Sequence, residues 1–363
     1  MASQQQYAHV PSSEDKYDAG SAEKASRRPP GPSVSRYTKI AALIASAIVA
    51  LVAAFALGYA SGYRTSDDAI ANPTVQASSN CTEPLIRKEW RSLSRDEKKN
   101  YLEAFQCFID SPSHLGMNGS LYDDFSWAHN LVAHSNHGKA PFLTWHRRFI
   151  SVYETTLRKS CGYKGAVPFW DWSLDWEDLP SSQIFDSELG FGGDGDPKAE
   201  RIGYAHCVTN SPFKNMKPQW RGPVYEPHCL TRSFNEDDWI GHFLNPESLA
   251  EILSKPTYKE FFLALELRAH DIIPTGVQGD FMAFTAPNDP IFYLHHTQLD
   301  RLWWLWQARD KKTRTKDYGG QGDGDKEVAL TDILPMAGLD ADIPVADIMD
   351  TEAGGLCYRY MYT

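Results

Sequence analysis

The chain has 363 residues, 42% of them hydrophobic and 23% charged, with a formal net charge of −11. This is the composition of a globular protein with room for a sizeable core and about one to three domains. The acidic balance, with no basic stripe in the folded region, argues against nucleic acid as a partner, because phosphate recognition needs a basic face.

Residues 1–39 form a polar tail rich in Ser, Pro and Gln, with too little apolar content for a core, so disorder is expected there. Ile40–Tyr63 carries no charge and holds an apolar run long enough to cross a bilayer as one helix. Lys16, Lys24, Arg27, Arg28, Arg36 and Lys39 precede the run, whereas Arg64 beyond it is soon followed by Asp67 and Asp68. This asymmetry predicts a single-pass membrane protein with a cytosolic N-terminus and the rest of the chain in the secretory lumen or outside the cell. A cleaved signal peptide is the alternative reading, but the polar tail is long for the basic region of a signal.

Residues 64–80 read as a stem, and 81–363 as one lumenal domain with no internal linker or repeat. Cys81, Cys107, Cys161, Cys207, Cys229 and Cys357 all lie past the apolar run. An even number with no CxxC pair favours disulfides over a zinc ribbon or a thioredoxin site, and leaves the pairing open. Asn80 and Asn118 begin glycosylation sequons on the same side of the run.

Within the domain the long periodic stretches predict helices. Ser94 with Glu97 forms a capping-box pattern ahead of the first. Pro141 opens and Gly162 closes another, which carries His146. His129, His134, His137 and His146 fall within 18 residues, and a turn between His129 and His137 would bring His129, His137 and His146 together. Three neutral imidazoles in a dry site suit copper, zinc, nickel or iron, with copper highest in affinity; bonds to backbone carbonyls are the simpler alternative.

Gly190–Asp196 and Gly319–Asp325 read as loops, and GGQGDGDKE lacks the spacing of a calcium loop. Pro246–Asp271 reads as helix, with His270 near its end. Asp289–Asp310 is another, with His295 and His296 adjacent on a strongly apolar background. Asp300 shares a face with His296 and is placed to orient a partner or buttress a ligand, while Trp303, Trp304 and Trp306 either wall off a site or fill core.

FLTWHRRFISVYE, with His137 ahead of it, and NDPIFYLHHTQLDRLWWLWQ resemble the two copper motifs of the tyrosinase family: H-x4-F-L-x-W-H-R ending in a helix Glu, and D-P-x-F-x-x-H-H-x-x-x-D. YDDFSWAH, PFWDWSLDW, GFGGDG, the paired HCVTNSPF and HCLTRSF, and LCYRYMY extend the likeness from Cys81 to the C-terminus. A finer likeness points to short fungal members from ustiloxin- and phomopsin-type cyclic-peptide pathways. The resemblance implies a mainly α fold, a four-helix bundle with long loops holding two coppers, each by three histidines. It implies a copper-dependent oxidoreductase that uses dioxygen to hydroxylate or oxidise a small phenol or a tyrosine-containing peptide in fungal secondary metabolism. Carried over by position, His129, His137 and His146 hold one copper and His270 and His296 belong to the other. His295 takes a supporting role and His134 a local hydrogen-bonding one.

One family ligand is missing. The second copper normally draws two histidines from an H-x3-H pair, and alignment on Glu266 and on Gly279-Asp280-Phe281 places His270 at the first position and Pro274 at the second. Proline offers no ring nitrogen. His242 and His295 are the candidate substitutes, and Asp271 reads as a carboxylate ligand, a base for the phenol or a helix-end residue. The gap supports an alternative function, a copper-poor pseudoenzyme or scaffold subunit. Ser135 stands where some members carry a cysteine linked to the second histidine, so no thioether can form. The chain stops soon after Cys357 without the extra domain of longer members, which would leave the site open to a bulky substrate. A zinc hydrolase built on His129, His137 and His146 fits the ligands but lacks an obvious general base.

Overall fold

The computed structural model describes residues 81–362 apart from Asp238 and Gly354. The tail 1–39, the apolar run 40–63, the stem 64–80 and the sequon at Asn80 lie outside the described residues. Among the described residues, no helix is long and apolar enough to cross a membrane.

Helix α1 (Arg95–Asp110) starts as its capping box predicts: Ser94 Oγ accepts the Glu97 N–H, and the Glu97 carboxylate accepts the Ser94 N–H. Its buried face is Tyr101, Leu102, Phe105 and Phe108, at helical spacing. Helix α2 (Leu121–Asn136) is capped the same way by Ser120 and Asp123. It carries His129 and runs unbroken to His137, its C-cap, so the turn expected between those two histidines is absent. Helix α3 (Pro141–Ser160) has the predicted proline start, and Gly162, at φ 65°, ends it in the left-handed conformation that glycine adopts without a steric penalty.

The single helix expected over 246–271 is broken. Pro256 lacks the N–H that would continue the ladder, and the chain forms α4 (Pro246–Leu253) and α5 (Tyr258–Ala264) on either side of it. The second piece then continues past the predicted end at Asp271. Leu265–His270 is a π-helical turn and leads directly into α6 (Asp271–Val277), which contains Pro274. Proline there deprives the His270 carbonyl of its helical donor, and a widened turn is a common accompaniment of such a break.

Helix α7 (Ile291–Ala308) is buried without interruption from Ile291 to Trp304 and forms the centre of the molecule, packed along α3. Its charged residues are therefore paired. Asp300, expected to buttress a histidine, instead accepts from Arg87, Arg147, Tyr358 and Tyr360, because the buried guanidiniums outcompete a neutral imidazole for a carboxylate. The tryptophans of α7 take the core reading. The Arg147 guanidinium lies 3.6 Å from the Trp303 ring centre, Trp304 packs on Tyr360, and Trp306 stacks on Phe261.

Strands are short. Leu85–Arg87 pairs in parallel with Tyr358–Tyr360, and the Cys81–Cys357 disulfide fastens the same junction. Cys107–Cys161 joins the ends of α1 and α3, and Cys207–Cys229 ties the long connection between α3 and α4. The architecture is mainly α with long irregular connections, as the periodicity predicts.

Candidate metal centre

Four helical segments deliver histidines to one place. His129 comes from α2, His137 from its C-cap, His146 from α3, His270 from the π-turn, and His295 and His296 from α7. They form two groups, His129–His137–His146 and His270–His295–His296, within each of which one nitrogen per ring lies within 4.8 Å of the others. The groups face one another: His146 stacks on His296 with ring centres 4.1 Å apart, and His137 lies 5.4 Å from His270.

In the first group every Nδ1 has a neighbour behind it. His129 Nδ1 is 2.6 Å from the Phe284 carbonyl, His146 Nδ1 is 2.7 Å from the Phe142 carbonyl, and His137 Nδ1 is 3.3 Å from Glu266 Oε1. Carbonyls only accept, so in His129 and His146 the proton sits on Nδ1 and the Nε2 lone pair points inward. His129 Nε2 lies 3.2 Å from His146 Nε2 and 3.4 Å from His137 Nε2. Lone pairs this close repel unless a cation lies between them. Metal–imidazole bonds of about 2.0–2.1 Å in a tetrahedral arrangement would put the nitrogens about 3.3 Å apart.

Burial keeps these rings neutral. Desolvation, with His137 adding, pushes the His129 imidazole down to about 3, and desolvation pushes His137 down to about 4. It holds His146, His295 and His296 well below the ordinary histidine value. A neutral imidazole in a dry site is a metal ligand without first having to lose a proton. The residues present therefore fit a metal of the copper type.

The second group is built differently. His270 Nδ1 lies 2.9 Å from Asp271 Oδ1. His296 Nδ1 and both ring nitrogens of His295 are buried with no hydrogen-bond partner. Position 274 does face the site: Pro274 lines a cavity of about 250 Å³ together with His129, His137, His270, His295 and His296. Of the substitutes for the missing ligand, His242 is exposed on a short 3-10 turn and belongs to neither group, whereas His295 is in the second. Asp271 turns one carboxylate oxygen onto His270, and its half-exposed side chain lines the cavity. His134 is exposed, its ring 4.7 Å from Phe284, in keeping with a local role.

Two participants were not legible as site residues. Glu266 is buried beside His137, accepts the Gly138 N–H, and is held up at about 7 by desolvation; one of its oxygens has no partner. Its position one helical turn before His270 was the available signal. Phe284 contributes through its carbonyl, which no side-chain pattern reports.

The family model described as the common central domain of tyrosinase matches residues 119–309. The tyrosinase ustQ of Aspergillus flavus is 43% identical over 287 residues, 77% of this chain and 80% of that protein. The tyrosinase-like protein phomQ1 of Diaporthe leptostromiformis is 42% identical over 313 residues, 80% of this chain and 79% of that protein. Among solved structures, a polyphenol oxidase variant from Thermothelomyces thermophila superposes with a TM-score of 0.68 at 26% identity, covering 77% of this chain and 89% of that one. Paired histidine groups on facing helices, the matched central domain and these relatives agree, and the chain belongs to the tyrosinase family.

Proposed function

We propose that this protein is a copper-dependent oxidoreductase that hydroxylates or oxidises a phenolic ring, including the side chain of a peptide tyrosine, in fungal secondary metabolism. The observation that carries the reading is the pair of largely buried histidine groups facing each other beside one cavity. His129, His137 and His146 would hold one copper, and His270 and His296 belong to the second. Bound copper would supply the electron transfer that activates dioxygen toward the ring.

The chain's own residues position and admit the substrate. The Phe284 and Phe142 carbonyls and Glu266 fix the ring orientations of the first group. Phe292, 4.2 Å from the His296 ring centre, keeps the space between the groups apolar. A cavity on the order of 150 Å³ already accommodates a benzene ring, so about 250 Å³ takes one phenol and not a whole peptide. The remainder of a larger substrate would stay outside, against Met282 and Phe284, which line the mouth and are 50% and 39% exposed. Asp271, on the cavity wall, is placed to accept the phenol proton.

Oxygen consumption by copper-loaded protein tests the reading, with a monophenol, a catechol and a tyrosine-containing peptide offered separately. Uptake with at least one of them is expected; none with any of them would leave the copper-poor scaffold, which the missing ligand at Pro274 favours.

We also propose that residues 40–63 anchor the chain with residues 81–362 in an oxidising compartment. Three disulfides and the exposed Asn118 sequon support this. Protection of the domain from protease in sealed microsomes, together with a glycosidase-sensitive mass, is the expected result.

A further inference from the structure

We infer that His295 supplies the ligand that Pro274 withholds, so that the second copper is held by His270, His295 and His296. This rests on the two-copper reading above and goes beyond the motif, which assigns only the second histidine of the α7 pair to the metal.

His295 is fully buried, and neither of its ring nitrogens has a hydrogen-bond partner. A structural histidine in a core uses at least one nitrogen on a carbonyl, hydroxyl or carboxylate, because an unpaired buried polar group is costly. The rings packed on His295 are His270 at 5.4 Å, His296 at 5.1 Å, Phe281 at 5.6 Å and Trp172 at 6.4 Å. A nitrogen of His295 is nevertheless within 4.8 Å of a nitrogen on each of the other two histidines, and all three rings line the cavity that Pro274 also lines. A metal bound among the three rings would give His295 the partner it lacks. The place of His295 in the group also restores the second site to three imidazoles without a histidine at 274.

The test uses the full chain, loaded with copper and dialysed, with metal content measured by atomic absorption. The parent is expected to hold about two coppers, His295→Leu about one, and the double variant Pro274→His/His295→Leu about two again, since 274 faces the same space. Copper-free His295→Leu should melt no lower than the copper-free parent, because leucine removes two unpaired nitrogens; a purely structural His295 would instead lower that melting point. Two coppers retained in His295→Leu would overturn the inference alone. One copper in the parent would also overturn it while leaving the first site standing, and none would overturn the copper reading itself. If His295→Leu does not fold, ring-nitrogen NMR of the copper(I)-loaded parent decides. Six histidines shifting on loading is the expected count from the two groups, and five with His295 unmoved would overturn the proposal.

Discussion

At the scale of single residues, the first histidine group is defined as much by what stands behind each ring as by the rings themselves. Two carbonyls and one carboxylate occupy the Nδ1 side, and the inward-facing Nε2 lone pairs follow from that. Glu266 is the one of the three that a substitution can remove. Glu266→Ala is expected to weaken copper binding about 10–100-fold, the usual cost of losing such a supporting contact. Glu266→Gln, which keeps an oxygen facing His137 and the Gly138 N–H, should recover most of it. Competition titration against a copper chelator measures both.

At the scale of elements, the acidic residues of the two copper motifs turn out to hold helices together rather than to tune metal. Glu154 on α3 accepts from Arg87 at 2.8 Å, and Asp300 on α7 accepts from Arg147 and Arg87 and from two C-terminal tyrosines. Burial alone would raise the Asp300 carboxyl, but the two guanidiniums hold it below the ordinary carboxylate value. Its contribution to stability is therefore complete above the unfolded value of about 3.9 and is lost as pH falls through the lower folded value. Asp300→Asn leaves buried guanidinium charge uncompensated and is expected to destabilise the fold by about 3–5 kcal/mol. Urea denaturation should show that loss at neutral pH, together with a shallower decline of the variant below about pH 4. The π-turn ahead of Pro274 is the other decisive element, because it brings His270 to the cavity from a helix that the sequence pattern ends too early.

At the scale of the molecule, the two ends of the domain are joined. The parallel pairing of Leu85–Arg87 with Tyr358–Tyr360 places Arg87, Tyr358 and Tyr360 around Asp300, and Cys81–Cys357 closes a span of 276 residues over it. A crosslink over so long a span restricts the unfolded chain strongly. Replacing both cysteines by serine is expected to cost about 2–5 kcal/mol, read from the denaturation midpoint. Copper content should change little, since the histidines come from helices that this bridge does not join.

The sequence by itself determined the helices with strong caps and periodicity, α1, α3 and α7, and placed five of the six histidines at family ligand positions with His295 only as a possible substitute, because capping, periodicity and motif spacing are local. It also located the gap at Pro274, since a proline is visible wherever it stands. Only the tertiary structure decided what the gap means. That His295 rather than His242 stands in the second group, that Asp300 serves two arginines, and that Glu266 supports His137 all depend on contacts between segments distant in the chain. Such contacts are set by packing around α7, where burial makes an unpaired polar group costly and draws partners from distant segments.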